Sequence, residues 1–260
     1  MIDDFSIETA IIVVVIPGNP SFPITQTRYT TGDTTSIIGG ERDLELYVAE
    51  GDSNLVLTSG VASGAFTCAT PNQAGGYSLL QYDGPDGSMT LNPTGLGGVD
   101  LTCNGHGCGF RAVIESNLPT NVTITVYSSQ TSSSKGQIAV RGDGSAREYI
   151  LLYSSFYGTC DFYNVGAIEV DIEMEDNTDI SISVLTVYGV LQPTPSVTRT
   201  TTRTPTTTPT STPNNGHSSS RTPTDTPTPT PSRTPTQGPV GEQSTCCFYF
   251  SSDQQYESAF

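Results

Sequence analysis

The 260-residue chain predicts an all-β fold, an antiparallel two-sheet sandwich of jelly-roll type, followed by an extended Pro/Thr-rich tail. Three observations predict it. Apolar residues recur with period two in short runs. AIEVDIEM at 167–174 is the clearest, with Ile168, Val170, Ile172 and Met174 alternating with Ala167, Glu169, Asp171 and Glu173; such a strand has one apolar and one acidic face. The runs are separated by Gly, Pro, Asn and Asp turns, with neither a helical period nor βαβ alternation. Residues 192–240 hold 11 of the 18 prolines with 18 Thr and 6 Ser, a composition with almost nothing to bury against the cost of ordering its backbone.

In chain order, strands are expected at 10–16 (AIIVVVI), 42–49, 54–59, 77–82, 98–103, 109–115, 121–128, 136–141, 147–155, 166–174 and 179–190. In the last, Ile180, Ile182, Val184 and Thr186 share a face before the run becomes more uniformly apolar, as in a strand entering the middle of a sheet. No run reaches the roughly 20 apolar residues of a membrane span. MIDDF opens with acid where a secretory leader carries a basic region, so a mature or trimmed form is expected. The domain plan is a β-sandwich over 1–191, a stalk over 192–240 and a short Cys/aromatic segment over 241–260.

Charge divides at the same boundary. Residues 1–191 carry 22 acidic and 6 basic groups, and the remainder 4 of each. A body this acidic repels phosphates, which disfavours nucleic acid and anionic membranes as partners and leaves cations and neutral or cationic polymers.

Six cysteines in a Lys-poor, Thr/Ser/Gly-rich chain suggest an oxidising, extracellular setting. Cys103 and Cys108 enclose only NGHG and are expected to bridge a tight loop, leaving Cys68 to pair with Cys160. With His106 they also suggest zinc, but a structural zinc site needs four ligands and no second cluster supplies the rest. Cys246, Cys247, Phe248, Tyr249 and Phe250 form a sticky patch suited to intermolecular bonding or docking.

The stalk composition favours polyproline II, reaching about 140 Å over residues 193–238, and is that of O-glycosylated segments. Thr200, Thr206, Thr210, Thr226 and Thr228 are candidate acceptors there, and Asn121-Val122-Thr123 is an N-glycosylation sequon. Arg141-Gly142-Asp143 matches an adhesion tripeptide but reads equally as a turn.

Four segments occur in an order that resembles the secreted jelly-roll ectodomains associated with bacterial PEP-CTERM sorting signals. They are Asp3-Asp4-Phe5-Ser6, Gly39-Gly40-Glu41-Arg42-Asp43-Leu44, Gln81-Tyr82-Asp83-Gly84 and Gly95-Leu96-Gly97-Gly98-Val99-Asp100-Leu101. The resemblance covers most of 1–191 and implies a sandwich similar in outline to carbohydrate-binding modules. The C-terminus departs from it, with no Pro-Glu-Pro signal, apolar helix or basic end.

Candidate chemistry is limited. Asp83 and Asp86 of DGPDGS, and the ladder Glu169, Asp171 and Glu173, offer oxygens to calcium, the one cofactor the residues suggest; a solvated turn and strand face account for them equally. No catalytic residue is nominated, because His106 and His217 are the only histidines and no carboxylate pair is identifiable. Tyr153, Tyr157, Phe162 and Tyr163 form, with Phe156, an aromatic cluster that reads either as a sugar platform or as core. The first reading is a non-enzymatic extracellular or cell-surface structural or adhesion protein, self-associating or joined to matrix proteins in a glycosylated fibre or sheath. The alternative is a carbohydrate-binding module on a stalk, and the third a glycoside-active enzyme.

Overall fold

The computed structural model describes residues 1–189. The boundary near Leu191, the stalk with its candidate threonines, and the segment containing Cys246, Cys247, Phe248, Tyr249 and Phe250 lie outside the described residues. So does His217.

Among the described residues, thirteen strands form two antiparallel sheets. They are β1 (Thr9–Val15), β2 (Ile24–Thr31), β3 (Glu41–Gly51), β4 (Val56–Ala62), β5 (Ala65–Ala69), β6 (Ala74–Tyr82), β7 (Gly107–Ser116), β8 (Thr120–Ser129), β9 (Ser132–Val140), β10 (Arg147–Leu152), β11 (Tyr157–Gly158), β12 (Ala167–Met174) and β13 (Asp179–Gly189). One sheet runs β1-β4-β5-β13-β7-β10 and the other β11-β9-β8-β12-β6-β3-β2. The sandwich is therefore as expected, and alternation explains it. In β12 Ile168, Val170, Ile172 and Met174 are buried, while Glu173 is exposed and Glu169 and Asp171 are half-buried.

Inward residues of both sheets fill one core, among them Leu44, Leu46, Val48 and Leu80 of the seven-stranded sheet and Leu57, Phe66, Phe110 and Ile114 of the six-stranded one. Several of the polar groups buried with them pair with one another. Ser59 and Ser78 share a 2.6 Å hydrogen bond between the two sheets. Arg42, fully buried, is ion-paired to the equally buried Asp3, and its guanidinium also donates to Thr9 Oγ1 and the Ile7 carbonyl. Asp3 Oδ2 further accepts from Tyr82 at 2.9 Å, and Oδ1 from the Phe5 amide at 2.8 Å. Burial pushes the Asp3 carboxyl up, against the lowering influence of Arg42.

Three details differ from the sequence expectation. Residues 98–103 are not a strand: Val99 makes an isolated bridge to Val165, and the chain then turns. Gly97 and Gly98 take φ of +73° and +88°, and Asp100 caps the turn by accepting from the Thr102 and Asn104 amides. β13 carries a bulge between Ile182 and Val184. The extra residue ends the simple alternation and brings Leu185 to the core, where it is 1% exposed. The Thr-rich β2 and the short β5 were not expected; β5 follows a tight turn in which Ser63 and Gly64 both have positive φ.

Candidate functional site

Register places two tyrosines side by side on the outer face of the seven-stranded sheet. Tyr47 of β3 is opposite Tyr77 of β6, flanked by Thr25 of β2 and Glu173 of β12. The two rings stack at 4.6 Å with planes 11° apart. The Tyr77 hydroxyl donates to Glu45 Oε1 at 2.7 Å, and on the same face the Tyr127 hydroxyl donates to Glu169 Oε2 at 2.6 Å. Burial, then the carboxylate each one meets, holds both phenols well above their ordinary pKa. They remain neutral donors at any physiological pH.

Beside the stack opens a groove of about 560 Å³ lined by Tyr47, Tyr77, Gly75, Gly76, Glu50 and Glu173, among others. It combines aromatic surface, side-chain-free backbone at the two glycines and carboxylates that accept from hydroxyl groups. Asp171, in the next row, has Oδ1 buried without a partner.

Burial raises the Glu169 pKa, with Asp171, Asp83 and Glu45 adding to the rise and the Tyr127 hydroxyl opposing it. Burial raises Asp171 too, with Lys135 opposing and Glu173 adding. A carboxyl whose pKa rises on folding contributes stability that is complete below its unfolded pKa and is lost as pH climbs through the folded one. Lowering pH from about 7 toward 5 is therefore expected to raise Tm, and Glu169→Gln with Asp171→Asn to flatten the rise. A thermal melt series checks this. A double variant whose Tm rises with falling pH as much as wild type does would overturn it.

At the far end of the face the loop after β6 folds back onto β3. The Asp86 and Gly87 amides donate to Glu41 Oε1 at 3.2 and 2.7 Å, and the Asn92 amide donates to Asp83 Oδ2 at 2.6 Å. Gly95 packs here because a side chain would strike the Asp83 carbonyl, 1.6 Å from its Cβ position. Burial first, then the neighbouring Glu41, Asp83 and Asp86, push the Asp43 carboxyl up to about 8.

The expected aromatic platform divides. Tyr153 stacks on Phe162 at 4.3 Å and meets Phe110 edge-on at 5.6 Å, while Phe156 lies 5.7 Å from Phe110. Tyr153 also donates to the Leu101 carbonyl at 2.9 Å. These rings plug one end of the core, so Tyr153 and Phe162 are packing residues. Tyr157 and Tyr163 are 67% and 59% exposed, but in separate places. Tyr157 sits on edge strand β11 opposite Lys135, and Tyr163 lies in a loop near Gly105.

The expected cysteine bridges are not formed. Cys68, Cys108 and Cys160 are free thiols. Cys68 lies within β5 of the six-stranded sheet and Cys160 beyond β11 at the edge of the other, so Cys103 with Cys108 and Cys68 with Cys160 are both corrected. Asn121 stands within β8, not in a loop, and the amide nitrogen a glycan would occupy donates to Glu173 Oε2 at 2.8 Å. Asp143 of the RGD tripeptide is ion-paired with Arg147 within its own turn.

No family model matches the chain, and no curated protein does. Among solved structures, a family 11 carbohydrate-binding module from Clostridium thermocellum, in complex with a β-1,3-1,4-mixed-linked tetrasaccharide, is similar over 74% of this chain and 96% of its own, at 15% identity and TM-score 0.36. A family 29 carbohydrate-binding module is similar over 62% of this chain and 87% of its own, at 14% identity and TM-score 0.31. Likenesses this distant carry no function across, and what this face can bind follows from its own side chains.

Proposed function

We propose that the chain is a non-catalytic, extracellular carbohydrate-binding module that takes a neutral polysaccharide along the outer face of the seven-stranded sheet. The carrying observation is the Tyr47/Tyr77 stack lining an open groove edged by Glu50 and Glu173. Sugar rings present C–H faces that rest on aromatic surface and hydroxyls that donate to carboxylates. A body with 22 acidic against 6 basic groups over 1–191 disfavours uronic acids and sulfated chains. The assembly reading drawn from the sequence rests on the stalk and the Cys/aromatic segment, and the groove adds nothing to it.

Affinity electrophoresis against β-glucan, mannan and xylan, with pectate as acidic control, tests the proposal. Retardation by at least one neutral polymer and none by pectate is expected. Tyr77→Ala should weaken binding by about tenfold or more, a loss of about 1.4 kcal/mol or more. Absence of retardation by every neutral polymer, or an unchanged Kd in Tyr77→Ala, would sink it.

A further inference from the structure

We infer that Glu41, Asp43, Asp83 and Asp86 form a calcium site that fastens the loop after β6 to strand β3. Glu41, Asp43 and Asp86 each present a carboxylate oxygen, and these atoms all lie within 4.8 Å of one another. A second observation is independent of that proximity. Asp43 is 1% exposed, yet its carboxylate oxygens meet no N–H or hydroxyl donor and face only another carboxyl, that of Asp83. Asp83, equally buried, leaves Oδ1 without a partner as well.

One oxygen of each neighbour is, by contrast, hydrogen-bonded. Glu41 Oε1 accepts two backbone amides, and Asp83 Oδ2 accepts from Gln81 and Asn92. The loop geometry is therefore complete without the orphaned oxygens, whose burial costs free energy unless a partner meets them. None of the three ion pairs among the described residues reaches them, since these join Arg42 to Asp3, Arg111 to Glu148 and Arg147 to Asp143. Arg42, though next in sequence to both Glu41 and Asp43, is turned to the opposite face of the sheet by the period of two.

An all-oxygen donor set favours a hard cation over zinc, whose protein sites are built mainly on His nitrogen and Cys sulfur. Four carboxylates on a strand and an adjustable loop suit the six to eight ligands and irregular geometry of calcium better than the strict octahedron of magnesium. Asp86 is exposed and leaves an entry path for the ion and its remaining waters. The inference does not rest on the glycan reading and survives its failure.

The test uses the full chain, treated with EDTA and desalted, then titrated with calcium chloride by calorimetry and melted with and without the ion. One calcium per chain is expected, with Tm rising by about 5–10 °C at a hundredfold excess over Kd. Asp86→Asn, a change at an exposed position, should fold normally and lose that rise. Asp43→Asn should also lose it, and in EDTA should melt no lower than wild type, since the buried oxygens it alters have no hydrogen-bond donor to forfeit. The inference is overturned by a wild-type chain with neither heat nor Tm shift. It is equally overturned if magnesium or matched sodium chloride reproduces the rise, or if both variants keep it.

Discussion

Arg42→Leu is expected to cost about 3–5 kcal/mol of stability, the penalty for leaving one charge of a buried pair without the other. Both Arg42 and Asp3 are fully buried. After the substitution the Asp3 carboxylate would retain only the Tyr82 hydroxyl and the Phe5 amide, two donors but no charge. The Arg42 guanidinium also stands 5.7 Å over the Phe5 ring, so the change loosens the packing of the first residues too. For a domain this size the loss corresponds to about 6–20 °C in Tm. Urea unfolding of wild type, the single variant and Asp3→Leu/Arg42→Leu would measure it. The double variant should recover much of the loss, because replacing both ions with apolar groups removes the uncompensated charge. A single-variant loss under about 1 kcal/mol would show that water reaches the pair.

Phe110→Ala should have a comparable effect, about 3–5 kcal/mol. Phe110 is completely buried in β7 and is the ring against which Tyr153 and Phe156 pack. Its removal would open a cavity that Tyr153 and Phe156, each held by Phe162 as well, cannot refill. Tyr157→Ala, by contrast, should stay within about 0.5 kcal/mol, since that ring is 67% exposed. The two urea midpoints together decide whether the aromatic residues after β10 act as one plug. If Phe110→Ala cost less than Tyr157→Ala, the cluster would be loosely held and available as a binding surface after all.

What could be read in the sequence was whatever depends on neighbours along the chain. AIEVDIEM gave its two faces because alternation is local, and the turns around Gly and Asn residues gave most strand limits. β2 escaped because ITQTRYTT is an edge strand with little apolar content. Residues 98–103 misled because VDLTC has strand-forming residues, while the deciding features are the φ values of Gly97 and Gly98 and the side-chain caps of Asp100.

The candidate groove was hidden for a different reason. Tyr47 and Tyr77 meet only because β3 pairs with β6 in one register, and a slip of one residue would turn either ring to the opposite face. Of the aromatic cluster at 153–163, conspicuous in sequence, Tyr153, Phe156 and Phe162 were the packing set and Tyr157 and Tyr163 stood apart. The burial of Asp43 likewise depends on a loop that begins forty residues later. Asp83 and Asp86 were recognisable as oxygen donors, but their partners Glu41 and Asp43 were not.

The order of strands within the sheets has a further consequence, for how the protein is made. β12 lies between β6 and β8, and β13 between β5 and β7, so the last two strands among the described residues are the ones that close both sheets. Until residues 167–189 emerge, a growing chain holds four unpaired apolar edges, and at about 5–20 residues per second it does so for seconds. The opening residues are seated late as well: the Ile2 and Asp3 amides bond to the Leu185 carbonyl, a contact that cannot form until residue 185 has been made. Completion is thus a single late event joining distant contacts, the circumstance in which folding is slow and a nascent chain most needs protection from its neighbours.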